Sequence, residues 1–198
     1  TNKVQLLSLL SDYAKLVSGG TVLGHGWDET HWSDPTLPTR TEIDRATWGS
    51  VVYLSRVDVH SALVSSSLIA QLPECQTMAG FEVGPVTQAA HGALRTYALS
   101  SVSDNQRAAA QKTFFAHALE QGIVSVHEMA GPQISSHADA RSLRDLASRP
   151  HMPHLAIYWG ELWSEHSAQI VAELNGIGLG GDLFIDGAIG SRTALLHE

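Results

Sequence analysis

Hydrophobic residues recur every three or four positions at the start of the chain. Between Val4 and Val17 this spacing predicts an amphipathic helix, which the glycine pair at 19–20 ends. Further elements of the first half are predicted from β-branched and aromatic runs and from end signals. They are a strand at 21–27, a short helix at 43–46 after a capping box formed by Thr39 and Glu42, a strand at 51–59, and helices at 62–70 and 87–99. The first half is therefore predicted to mix helices and strands.

Residues 100–104 mark a predicted boundary, beyond which helices and short apolar strands alternate. The predicted helices are 106–121, 138–148 and 167–174, and the predicted strands are 123–127, 155–159 and 182–186, with a glycine loop at 176–181. Asp104 is predicted to cap the first of these helices and Gly122 to end it. Such alternation is typical of βαβ units that build a parallel sheet.

The composition indicates a soluble globular protein and argues against several kinds of partner. Hydrophobic residues make up 43% of the chain, and its formal charge of −8 disfavours a nucleic-acid partner. No apolar run approaches the roughly 18 residues that a membrane span needs, and no secretory leader is seen, so we expect a cytoplasmic protein without a membrane partner. The single cysteine, Cys75, excludes an internal disulfide framework and an all-cysteine metal site.

The most informative stretch begins at the end of the last predicted strand. It reads Asp186-Gly187-Ala188-Ile189-Gly190-Ser191-Arg192-Thr193-Ala194-Leu195. Acids at strand ends followed by glycine loops are where α/β enzymes usually keep their chemistry. An isolated Asp-Gly pair would more often be an ordinary turn, but the longer string favours a functional interpretation.

This string closely resembles the Asp-Gly-Ala-Leu-Gly-Ser-Arg-Thr-Ala signature of one amidohydrolase-superfamily branch, which includes N-substituted formamide deformylases and many metal-dependent hydrolases. Four more segments are similar to motifs of that branch. They are Gly24-His25-Gly26-Trp27-Asp28-Glu29, Leu37-Pro38-Thr39-Arg40-Thr41-Glu42-Ile43-Asp44, Arg56-Val57-Asp58-Val59-His60-Ser61-Ala62 and Gly122-Ile123-Val124-Ser125-Val126-His127-Glu128-Met129. The resemblance covers nearly the whole chain, in order.

The resemblance implies a (β/α)8 barrel of the TIM type, with an accessory β-sandwich and a long insertion after the first helix. On that template residues 1–20 hold barrel helix 1, residues 21–103 an inserted α+β subdomain, and residues 104–198 the βα units with barrel strands 2–4. We therefore expect an α/β fold that is a partial TIM-like barrel, from an internal fragment of a larger enzyme. A half-barrel leaves strand edges open, so we also expect a homo-oligomer.

The family implies hydrolysis of amide-like C–N bonds in a small organic substrate by metal-activated water. We expect a divalent metal, zinc, with one ion per full-length chain. The family's first ligands form a His-x-His pair, which this chain lacks, and its later ligands would lie beyond residue 198. The chain alone is therefore expected to be inactive. The alternative is a catalytically silent fragment with a structural or regulatory binding role. The fold does not identify the substrate.

Three acids are candidates for the chemistry. Glu128 and Asp186 are predicted catalytic residues at strand ends, and Asp182 is a predicted metal ligand. Many relatives carry a lysine that can be carboxylated where this chain has Asp182, so a one-metal site fits better than a bridged pair. The alternative for Asp182 is a polar residue that only starts a strand. The alternative for Glu128 is an acid that is hydrogen-bonded to nearby backbone. His127 is expected to pack within its strand, and Glu161 is a weaker candidate.

A polar and aromatic set is predicted to bind the substrate. It consists of Trp27, Asp28, Arg56 and His60, on two neighbouring predicted strands, together with Arg192. A guanidinium group suits a substrate carboxylate, but it suits a structural carboxylate equally well. An ion pair of Arg56 with Asp28 or Asp58 that fixes the insertion is therefore the alternative. Arg192 has the corresponding alternative of tethering its loop through Asp186.

Overall fold

The computed structural model describes residues 2–17, 19–132, 134–183 and 185–196, which form two compact units. The first unit contains the described residues up to Ser101 together with those from Asp186 onward, and the second runs from Val102 to Ile185. The assignment of residues 1–20, 21–103 and 104–198 to parts of a barrel and an insertion stays a prediction. Within the described ranges, no helix is long and apolar enough to cross a membrane.

The first unit is built on a mixed four-stranded sheet. Its elements are α1 (Lys3–Val17), β1 (Val22–Trp27), α2 (Arg40–Ala46), β2 (Val52–Arg56), β3 (Ser61–Val64), α3 (Ser66–Gln71), β4 (Val86–Thr87) and α4 (Gln88–Ser100), with 3-10 turns at Glu29–His31 and Pro73–Thr77. The strand order is β1-β2-β3-β4. β1 is parallel to β2, and the other two pairs are antiparallel. The predicted capping box is present, with Thr39 accepting from the backbone of Glu42.

Alternating residues of β2 face different helices. Val52 and Leu54 pack in a core cluster with residues of α1 and α2, whereas Tyr53 packs in a second cluster with residues of α3 and α4. Because side chains alternate along a strand, Ser55 lies on the face of Tyr53 and Arg56 on the face of Leu54. The sheet thus presents two separate polar positions, one on each face.

The predicted helix at 62–70 is wrong in its first half. Residues Ser61–Val64 form β3, and the helix begins only after Ser65, whose side chain caps it by accepting from the backbone of Leu68. All four residues of β3 are buried, because helices cover both faces of the sheet. A strand buried on both faces loses the polar–apolar alternation that distinguishes a strand from a helix segment.

The second unit repeats a helix and a strand. It contains α5 (Asp104–Glu120), β5 (Ser125–Ala130), α6 (His137–Ala147), β6 (His154–Trp159), α7 (Glu165–Leu174) and β7 (Gly178–Leu179). The three strands form a wholly parallel sheet in the order β5-β6-β7. The predicted βαβ alternation is therefore confirmed. The cap of α5 is Ser103, which forms a capping box with Gln106, and not the predicted Asp104.

The predicted strand at 182–186 is wrong for the residues that the structure describes; Phe184 lies outside them. The third strand is instead β7, inside the predicted glycine loop. β6 ends at Trp159, which pairs with Leu179, and the Trp159 carbonyl accepts a hydrogen bond from Gly180. No strand backbone of β6 remains for later residues to pair with. Gly180 and Gly181, with φ of 138° and 96°, then turn the chain away from the extended conformation.

Candidate functional site

The guanidinium group of Arg56, at the end of β2, is surrounded by three carboxylates. Its Nε and Nη2 donate to the two oxygens of Glu29 at 3.0 and 3.2 Å, and its Nη1 donates to Asp58 at 3.0 Å. A longer bond of 3.4 Å joins Nη2 to Asp28. Arg56 is only 5% exposed. All three guanidinium nitrogens are therefore occupied by partners within the unit.

Trp27 supports this group from the end of the neighbouring strand. Its ring lies 5.7 Å from the guanidinium carbon of Arg56, within the range of a cation–π contact. The indole nitrogen donates to the carbonyl of Leu54 at 2.9 Å, and the ring is 6% exposed in the core cluster shared with α1 and α2. Trp27 thus joins the ion pairs to the hydrophobic core.

Residues 186–195, called the signature loop below, dock on the same group. The Ser191 hydroxyl donates to the Asp58 carboxylate, at 2.8 and 3.0 Å from its two oxygens, and lies 2.8 Å from the Ser61 hydroxyl. Next to it, a Cβ added to Gly190 would lie 2.4 Å from Nη1 of Arg56 and 2.8 Å from Asp58. Only glycine allows the backbone to approach the guanidinium this closely.

We call the set of Trp27, Asp28, Glu29, Arg56, Asp58 and Ser191 the Arg56 cluster. It joins three of the motif segments identified in the sequence, at 24–29, 56–62 and 186–195. Three carboxylates surround one guanidinium, so the cluster carries excess negative charge. The hydrogen bonds that Arg56 donates to Glu29 raise the pKa of Arg56. Burial alone would raise the pKa of Asp58, but the bonds from Ser191, the His60 backbone and Arg56 together lower it. Arg56 and Asp58 are therefore both ionised at neutral pH.

The signature loop is also closed by bonds of its own. The backbone N–H of Ala188 donates to the Thr193 hydroxyl, and that of Thr193 donates to the Ala188 carbonyl, both at 3.0 Å. Asp186 accepts a hydrogen bond from the backbone of Leu195 at 2.9 Å. Asp186, a predicted catalytic residue, therefore joins the two ends of the loop.

The structure brings together three of the five predicted substrate-binding residues, Trp27, Asp28 and Arg56. Their contacts are those of the alternative, an ion-pair network that fixes the fold. His60 adjoins the cluster through its backbone N–H, which donates to Asp58 at 3.2 Å. Arg192 lies in the signature loop with φ of 55°. Among the described residues, Asp186 accepts a hydrogen bond from the backbone of Leu195, and no bond to the Arg192 guanidinium is seen.

Sequence reasoning missed three participants of this site. They are Glu29, Ser61 and Ser191, and each lies inside a motif segment that resembles the amidohydrolase branch. The signal for them was the motifs themselves. Taking every polar residue of the motifs as a candidate would have found all three.

Glu128 is the most perturbed acid of the second unit. It lies within β5, opposite Ile157 of β6, and not after the strand as predicted. Burial, followed by the negative charge of Asp139, raises the pKa of its carboxyl. The neighbouring His127 is exposed, and its ring stacks on Tyr158 with 5.8 Å between ring centroids. Perturbed carboxyl groups of this kind are frequent at functional sites.

Replacing Glu128 with glutamine is expected to stabilise the chain at pH 7 by less than about 1 kcal/mol. Because its folded-state pKa is raised, ionisation of Glu128 costs stability as the pH rises above the unfolded-state value. The gain should be largely lost near pH 4, just below the usual pKa of a glutamate carboxyl, where both states are mainly protonated. Urea unfolding at pH 4 and pH 7 measures this difference. An equal effect at both pH values would contradict an ionisation penalty at Glu128.

Asp182, the candidate metal ligand, is not grouped with other potential metal ligands among the described residues. Asp182 is exposed and belongs to the second unit, whereas Asp186 belongs to the first. Glu161, the weaker candidate, accepts a hydrogen bond from the Trp159 indole at 2.5 Å. In the part of the chain that the structure describes, no group of three or more His, Cys, Asp or Glu side chains is placed to hold a metal ion. These residues alone therefore do not fit a metal centre.

Comparison with known proteins relates the whole chain to one family. The sequence profile of the amidohydrolase family matches residues 1–198. A similar fold occurs in the crystal structure of an uncharacterized metal-dependent hydrolase from Pyrococcus horikoshii OT3, with 21% identity and a TM-score of 0.60. Another, from Pyrococcus furiosus, has 25% identity and a TM-score of 0.53. Both cover 96% of this chain, which spans 39% and 41% of theirs. Among curated proteins, none matches.

Proposed function

The chain belongs to the amidohydrolase family, and on that premise we propose that it forms part of a metal-dependent hydrolase that cleaves amide-like C–N bonds of a small organic substrate. The observation that carries the proposal is the Arg56 cluster, in which three segments resembling one branch of the family meet through hydrogen bonds. The residues that this chain shares with the branch therefore contact one another and hold the three segments together. We assign the chain to the deformylase-like branch on the same ground.

We assign the acid–base step to Glu128. A carboxyl whose pKa is raised holds its proton closer to neutral pH, which suits an acid that delivers a proton to a leaving nitrogen. Asp186 is the second candidate catalytic residue. The Arg56 cluster supports the signature loop, which begins at Asp186, and does not itself contact substrate. His60 and Arg192, which lie beside the cluster and in the loop, remain our candidates for substrate contact.

The proposal places the metal ligands mainly outside the described residues. Those residues hold no ligand group of their own, and the chain spans about two fifths of the two similar structures. Asp182 is the one ligand that we assign to this chain, through direct coordination by its carboxylate. Zinc is the ion we expect, since histidine and carboxylate ligands suit it.

The metal content of the protein extended to its natural termini tests this proposal. We expect about one divalent ion per chain by plasma mass spectrometry after reconstitution with zinc, together with hydrolysis of N-formyl or N-acyl amines. The 198-residue chain is the matched control and is expected to retain no stoichiometric metal. In the extended protein, replacing Asp182 with asparagine is expected to lower the retained metal, and replacing Glu128 with glutamine to lower turnover with the metal retained.

The competing function is a catalytically silent binding or structural segment. It is favoured by the internal hydrogen bonds of the buried Arg56, which occupy four of the five N–H donors of its guanidinium. An extended protein that retains no ion from zinc, manganese or cobalt solutions would refute the hydrolase and support this second function. Retained metal without turnover on any amide tested would refute the assigned bond class alone.

A further inference from the structure

A cavity of about 440 Å³ opens on the other face of the first unit's sheet from the Arg56 cluster. β1 contributes Leu23 and His25 to its wall, and β2 contributes Tyr53 and Ser55. The last turns of α4 contribute Arg95 and Leu99. The volume lies within the usual range of small-molecule sites. Nothing in the proposed hydrolytic site uses these side chains.

The polar groups of the cavity are hydrogen-bond donors or can act as donors. The Ser55 hydroxyl, which is 7% exposed, lies 2.8 Å from Nδ1 of His25. Arg95 brings a permanent positive charge. None of the residues lining the cavity is acidic, although acids outnumber bases by 20 to 12 in the chain. The lining is therefore suited to an anion.

The floor of the cavity is held rigidly. Tyr53 shares a hydrogen bond of 2.8 Å with Nε2 of His91, and the two rings stack. Burial raises the pKa of Tyr53 to about 12, and burial, with the nearby charge of Arg95, lowers the pKa of His91 to about 4. Both groups are consequently neutral at pH 7. The pair therefore forms an uncharged floor, and Arg95 supplies the positive charge at the cavity.

A strained residue lies at the edge of the cavity. Val59, in the turn between β2 and β3, has φ of 57°, a conformation that β-branched residues rarely adopt. The turn is held by the Val59 N–H, which donates to the Arg56 carbonyl, and by Asp58, which accepts from His60. Strain of this kind persists where surrounding contacts impose it, often beside a ligand. Here it places an isopropyl group against the cavity.

We propose that this cavity binds a small organic carboxylate with an apolar body. The carboxylate pairs with the guanidinium of Arg95 and the imidazole of His25, which Ser55 orients. The apolar body lies against Leu23 and Leu99. The site is separate from the proposed hydrolytic chemistry, and its occupation requires neither metal nor turnover.

Calorimetric titration of the 198-residue chain with hexanoate, and with hexanamide as its neutral isostere, tests the proposal. We expect saturable binding of hexanoate and binding of hexanamide that is weaker by about tenfold, because a charge-assisted bond is lost. Imidazole resonances of His25 should shift on addition of hexanoate. Equal affinity for both probes, or no saturable binding of hexanoate, would overturn the proposal.

Two variants and one control locate the site. Arg95→Gln is expected to weaken hexanoate binding by about tenfold, and Leu99→Trp to abolish it by filling the cavity. Arg45→Gln removes an exposed guanidinium from α2, outside the cavity lining, and should leave the affinity unchanged. If Arg45→Gln weakened binding as much as Arg95→Gln, general charge attraction would explain the result and the assigned site would be wrong.

Discussion

Replacing Arg56 with methionine is expected to lower the free energy of unfolding by about 3 kcal/mol. Methionine keeps most of the apolar stem but removes the charge that Asp28, Glu29 and Asp58 share. Three carboxylates would then be left close together without a cation. Their side chains retain 24%, 23% and 18% exposure, so water relieves part of the repulsion and we expect the lower end of the range for a broken buried pair. Urea unfolding measures the effect.

The pH dependence separates lost charge from lost packing. The folded-state pKa of Asp58 is lowered, so its stabilising contribution is present at neutral pH and is lost as the pH falls through that value. The cost of Arg56→Met should therefore shrink as the pH falls through the lowered pKa of Asp58. Arg45→Met, at an exposed position of α2, is the control and should cost less than about 0.5 kcal/mol. A cost at Arg56 that is independent of pH would contradict the ion-pair account.

Replacing Gly190 with alanine is expected to cost about 2 kcal/mol and to release the signature loop from the Arg56 cluster. The new methyl group would lie 2.4 Å from Nη1 of Arg56. The tip of an arginine usually moves aside easily, but this one is buried and bonded to three carboxylates. The loop has to move instead, which breaks the bonds between Ser191 and Asp58. Urea unfolding and proteolysis within residues 186–195 report the two effects.

A double-mutant cycle tests whether the guanidinium causes this cost. In the Arg56→Met background only the Asp58 oxygen, at 2.8 Å, still obstructs the new methyl group, so the cost of Gly190→Ala should fall to about 1 kcal/mol. Gly92→Ala is the matched control, because a Cβ at this position of α4 meets no atom within 4 Å. It should stabilise the chain by about 0.5–1 kcal/mol. Strictly additive costs at positions 56 and 190 would show that the loop does not lie against Arg56.

The helices with local end signals were predictable from the sequence. The two glycines after α1 and the capping box of Thr39 at α2 act within one turn of the chain. α1 occurs where it was predicted, and α2 ends as predicted but begins at Arg40, directly after its cap, and not at residue 43. β3 could not be predicted from its own residues, because its burial depends on helices packed on both faces. The last strand depends on where β6 ends. Residues 183–185 have the composition of a strand, but a segment becomes a strand only where a neighbouring strand is available to pair with it.

The candidate site was also predictable only in part. The motifs identified the segments that meet. Arg56 was predicted to bind substrate, with an ion pair to Asp28 or Asp58 as the alternative, and it pairs with both carboxylates. The contact between Ser191 and Asp58 joins residues 133 positions apart, which no local pattern reveals. The metal site has no counterpart among the described residues. Motif resemblance indicates which residues matter, but not whether they contact a ligand or one another.

The bond between Ser191 and Asp58 also imposes an order on biosynthesis. Asp28, Glu29, Arg56 and Asp58 all leave the ribosome early, so their ion pairs can form while the second unit is still being made. Ser191 emerges more than a hundred residues later and closes a loop that encloses that entire unit. Such long-range contacts form late, since closing the loop costs entropy before any contact repays it. In a nascent chain Asp58 therefore pairs with Arg56 but lacks its bonds to Ser191 until Ser191 has left the ribosome.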